Sequence, residues 1–139
     1  MAIVTNGDRH PLQVLFTSIL KMNTSTLNRL PQAIADQSYK LLALDSQIRD
    51  VRELVAKFES EIDLAILFSD SFKNEGQRKA AKSQMMAENS ELQNALQTLR
   101  DLTTNKEKGS IELSLLRDRF AIAKLQARER IAKMESLAA

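Results

Sequence analysis

Ile34, Leu41, Ile48, Val55 and Ile62 recur every seven residues, and Leu44, Val51, Phe58 and Ala65 lie three residues beyond the last four. Gln37, at the first accompanying position, is the one polar interruption. Two apolar rows at this spacing form a narrow seam, which a solitary helix leaves facing water and which therefore requires a partner helix.

A second seam supplies that partner. Met85, Leu92, Leu99, Leu113, Phe120, Ala127 and Met134 share one row, accompanied by Ala95, Leu102, Leu116, Ala123 and Leu137, with Leu96 and Ile131 on its flank. Its phase survives the polar stretch "TTNKEKGS", although Lys106 and Gly109 occupy the two seam positions there. Lys-Glu-Lys-Gly followed by Ser is also a stop-and-cap signal, so a break near 104–110 stays open, with continuity favoured by the preserved phase. Between the seams, Asn74 followed by Gln77 reads as an N-cap with its capping-box partner. Gly76 then falls in a first helical turn, where its cost is softened.

Upstream, Leu12, Leu15, Phe16, Ile19 and Leu20 follow helical spacing behind Pro11, which suits a first turn. Pro31 marks a break or the start of the main helix. The expected architecture is all-α: a long antiparallel helical hairpin or coiled coil with an N-terminal helix. It forms one domain over 1–139, with an N-terminal helical segment at 11–30, a first long helix at 32–68 and a second at 74–137. A pivot near residue 71 pairs positions whose numbers add to about 142, placing 34 opposite 108 and 12–20 opposite 122–130. Apolar residues outside the seams, among them Leu42, Leu54, Leu64, Ile66, Leu67, Phe72, Ile111, Leu115, Ile122 and Leu125, exceed what one hairpin buries. Self-association into a homo-oligomer is the economical way to cover them.

Composition closes several routes. Three Gly, two Pro and 4% aromatic residues leave little for an all-β fold. No apolar run approaches the ~20 residues that span a bilayer, and no signal peptide is visible, so no membrane association is expected. The absence of Cys removes disulfides and thiolate chemistry and fits a cytoplasmic location. His10 is the sole histidine, and Glu59, Glu61 and Asp63 flank a seam as solvated or interhelical charges. No metal-ligand spacing or Gly-rich phosphate loop is present, so neither an enzyme, a cofactor nor a metal is expected.

Charge is where function remains open. The net charge is +2, but residues 36–63 hold seven acids against four bases, whereas 117–133 hold six bases against two acids. Residues 73–82 add four bases against one acid. The basic segments could neutralise phosphates of single-stranded DNA, or pair with the acidic helix. The nucleic-acid-binding candidates are Lys73, Arg78, Lys79 and Lys82, and Arg117, Arg119, Lys124 and Arg128. Arg117, Lys124 and Arg128 lie near one helical face; Arg119 lies away from it. Phe120, at a seam position, is expected in the core rather than as a stacking platform.

Asn74, Glu75, Arg78, Ala80 and Ala81, followed about forty residues later by Leu116, Arg117, Arg119 and Phe120, form a pattern that resembles small helical-hairpin proteins of phages and prophages associated with recombination genes. The segment "DRFAIAK" is distantly similar to one in the UvsY recombination mediators of T-even phages. The resemblance covers roughly residues 45–130. It implies single-stranded DNA binding in support of a recombinase, with the tip bases as DNA contacts and Arg119, Phe120 and Lys124 in the late segment. The reading of a different class is a structural or adaptor coiled coil that binds protein partners and never touches nucleic acid.

Overall fold

The computed structural model describes the backbone of residues 11–138 and the side chains of residues 25–138. The chain forms an all-α helical hairpin of three helices: α1 (Pro11–Leu67), α2 (Glu75–Glu88) and α3 (Ser90–Ala138). No strand occurs among the described residues. His10 and the side chains of Leu12, Leu15, Phe16, Ile19 and Leu20 lie outside the described residues. Contacts divide the chain into two units, one of residues 39–110 and one of the described parts of 1–38 and 111–139.

In the unit of residues 39–110, the end of α1 and the start of α3 run antiparallel. Val55, Ile62 and Ile66 of α1 pack with Leu92 and Ala95 of α3, and Leu92 is fully buried. Phe72 from the connecting loop and Ala81, Met85 and Met86 of α2 close over this cluster. Ile48, Val55 and Ile62 are buried as their heptad row requires, but Ala65 is exposed and Ile66 takes its place. A helix of 3.6 residues per turn drifts by roughly 20° per heptad from a 3.5 repeat, so the inner face moves onto the neighbouring position.

The pairing register differs from the expectation. Asp45 meets Lys106, and Val51 to Phe58 share a groove with Glu91 to Thr98, so facing numbers add to about 150, not 142. The chain does not reverse at one point near 71: α2 is part of the reversal. The slip is close to one heptad, and two heptad seams match equally well after a slide of seven.

Helix boundaries also differ. The break in the second arm lies at Asn89, and α3 is helical throughout 104–110. Asn89 leaves helical geometry (φ −79°, ψ 100°) and serves both ends. Its N–H donates to the Met85 carbonyl at 3.1 Å, and its side-chain oxygen accepts from the Leu92 N–H at 3.0 Å. The Gln93 side chain donates to the freed Met86 carbonyl at 2.9 Å. At the start of α2, Asn74 accepts from the Gln77 N–H at 2.8 Å, while Gln77 reaches back to the Lys73 N–H at 2.8 Å, one residue before the position a capping box uses.

In the other unit, α1 passes through Pro31 without interruption. Pro31 is exposed, so water can meet the carbonyl it deprives of a donor, while the adjacent Leu30 is buried. On α3, Leu113 is buried and Leu116, Phe120, Ala123, Ala127 and Met134 are half-buried. Leu137 and Ile131, expected along the seam and its flank, are exposed.

Candidate nucleic-acid interface

The tip bases divide into two kinds. Lys73 and Arg78 are exposed, with no ion pair from their side chains to a described residue. Lys79 lies 3.8 Å from Glu75 one turn earlier, both well exposed, a geometry that constrains neither. Lys82 is paired within the fold: its half-exposed ammonium bonds Asp63 of α1 at 2.9 Å. That hydrogen bond holds Lys82 above the usual lysine range; partial desolvation opposes it, and the charges of Asp63 and Glu59 add to it. Lys82 therefore ties α2 to α1, the interhelical pairing that the charge asymmetry left open.

On α3, Arg117, Arg119, Lys124 and Arg128 are all exposed, and none forms an ion pair with a described residue. Steps of seven and four residues place Arg117, Lys124 and Arg128 within roughly 40° of one another, with Arg119 roughly 160° away. The Lys124 ammonium sits 4.5 Å from the centre of the Phe120 ring, one turn earlier. Phe120 is half-buried, so it is neither a free stacking platform nor a fully enclosed core residue. The ring steadies Lys124 while leaving its charge outward. Arg130 differs, being half-buried with one guanidinium nitrogen enclosed and unpartnered among the described residues.

The seam between α1 and α3 within residues 39–110 is flanked by two grooves of different chemistry. One, of about 390 Å³, is lined by Val51, Leu54, Phe58 and Ala95 with Glu91, Asn94 and Thr98. The other, of about 330 Å³, carries Arg49, Arg52 and Lys106 beside Asp45, Leu42, Ile48 and Thr103. Arg49 and Arg52 are absent from the sequence-derived candidates because they lie in a segment of net negative charge. Their three-residue spacing on one flank of the seam was the available signal. Among the described residues, no cluster of three His, Cys, Asp or Glu side chains could hold a metal ion. No described helix is long and apolar enough to cross a membrane. No protein-family model, curated protein or solved structure matches this chain.

Proposed function

We propose that the chain is a non-catalytic, self-associating, cytoplasmic accessory protein of phage-type DNA recombination or replication, which binds single-stranded DNA without sequence preference and works beside a recombinase or another protein. The observation that carries this reading is the exposed row of Arg117, Lys124 and Arg128. Three cations on one face, unpaired by any described carboxylate, suit the phosphate backbone.

Self-association draws support from the outer side of α3. Ile111, Leu115, Ile122 and Leu125 are all exposed, at spacings of four, seven and three. With Asp118 in the gap, they form a second coiled-coil row, and Asp118 sits between Arg117 and Arg119. A second copy meeting this row would place its arginines against Asp118 and align the bases of both chains.

The test is fluorescence anisotropy of a labelled single-stranded oligonucleotide across a salt titration, with a duplex of equal length alongside. Single-strand-preferring affinity that falls steeply with salt is expected, and Arg117→Glu/Lys124→Glu/Arg128→Glu should remove most of it. Absence of binding at low salt overturns the reading.

One observation favours the adaptor alternative. Leu64, Leu67 and Phe68 are exposed together at the end of α1, and Phe68 is 81% accessible. An apolar patch on a helical tip suits a protein partner. If the triple variant keeps its DNA affinity, or there is none to lose, a Leu64→Ser/Phe68→Ser chain is the probe for lost protein partners.

A further inference from the structure

Arg49 and Arg52 of α1 and Lys106 of α3 line one side of the hairpin seam around a single cleft of about 330 Å³. That is at the low end of volumes that hold small ligands, roughly 300–1,000 Å³. The cleft has one carboxylate, Asp45, and Lys106 is already bonded to it at 2.5 Å. Within the cleft lining this pair cancels, leaving Arg49 and Arg52 as its net positive charge. Neither forms an ion pair with a described residue. Like charges three residues apart on a helix repel, and neither guanidinium closes an ion pair with a described residue that would offset it.

The floor strengthens the case. Ile48, 4% exposed, and Leu42 present apolar surface beside the charges, which weakens screening of an anion held there. Thr103 adds no donor, because its hydroxyl already donates to the Leu99 carbonyl at 2.7 Å. Recognition therefore rests on guanidinium groups, whose planar forks match phosphate oxygens, with the remaining ammonium hydrogens of Lys106 as a third contact. The groove on the opposite flank has no base at all.

We propose that this cleft is a phosphate-group site, and that its occupant is a phosphodiester of the nucleic-acid strand; the second half of this statement rests on the single-stranded DNA reading, the first does not. Asp45 sets its strength by holding Lys106 back. The site lies within residues 39–110, with its arginines in the net-acidic segment 36–63 of α1, and it is additional to the basic row of residues 117–128.

The experiment uses the full-length chain and two probes. Inorganic pyrophosphate is titrated while the arginine side-chain N–H resonances are followed by NMR, and a single-stranded oligonucleotide is titrated by anisotropy. Saturable shifts at Arg49 and Arg52 are expected with pyrophosphate and should vanish in Arg49→Gln/Arg52→Gln. The same double variant should bind the oligonucleotide about tenfold more weakly, with a salt slope smaller by about 0.7, the value for one phosphate contact on a single strand. Asp45→Asn frees Lys106 and should tighten both ligands, a gain that a merely structural role for Asp45 does not produce. Pyrophosphate binding without oligonucleotide binding upholds the phosphate site and overturns the nucleic-acid reading. No pyrophosphate response overturns the site, and an unchanged oligonucleotide affinity and slope in the double variant overturns the nucleic-acid strand as its occupant.

Discussion

Lys106 and Asp45 face each other across the seam, with ammonium and carboxylate 2.5 Å apart and each side chain 44% exposed. Lys106 occupies a row otherwise filled by Met85, Leu92, Leu99 and Leu113. A polar residue at one such position gives up stability and selects register. Sliding α3 by one heptad would set Lys106 against Arg52 or Ser38 instead of Asp45.

Replacing Lys106 with Leu should accordingly stabilise the hairpin, by up to about 1 kcal/mol, because a half-exposed pair contributes little and a leucine extends the apolar row. Urea unfolding measures the gain. Spin-label distances across the seam should broaden at the same time, since the register-selecting pair is gone. A clear loss of stability would show that the pair, rather than the apolar row, dominates here.

Leu92 is the fully buried side chain at the junction of all three helices. Leu92→Ala leaves a cavity that Val55, Ile62 and Ala95 cannot fill, with an expected loss of about 3 kcal/mol. The same change at exposed Leu125 should cost less than about 0.5 kcal/mol in the monomer. Equal effects at the two positions in urea titrations would contradict the assigned core.

The Lys82–Asp63 pair has a defined pH signature. It raises the folded-state pKa of Lys82 above the ordinary lysine value of 10.5. Its contribution is therefore complete below that pH and is lost as pH climbs through the raised folded value. The stability difference between the natural chain and Lys82→Met should stay constant from pH 7 to about 10 and narrow above it. A difference that vanishes near neutrality would contradict this assignment.

Periodicity made the two long helices legible because each seam repeats over several turns, and errors at single residues such as Gln37 do not erase it. The register was not legible, for the same reason: a repeat of seven looks identical after a slide of seven. Asn89 was hidden because Met85, Leu92 and Leu99 keep their phase across it, so the apolar row outweighed the local signal of Asn followed by Ser and Glu. Pro31 misled in the opposite direction, since a local breaker is tolerated on an exposed face. For the candidate site, the late basic row could be read from residue spacing. The fate of Lys82 and the cleft around Arg49 and Arg52 could not, because both depend on which residue of another helix stands opposite.

α2 has no buried residue of its own and touches the core through the half-buried Ala81, Met85 and Met86. It is also set off by a cap at each end. Such an element is the first expected to open in hydrogen exchange, well below the free energy that unfolds the hairpin. Arg78 and Lys79 therefore ride on a segment with its own local melting equilibrium. Warming or high pH would release these charges from their fixed positions while the α1–α3 seam stays closed, so the arrangement of charge at the tip is tunable and the seam is not.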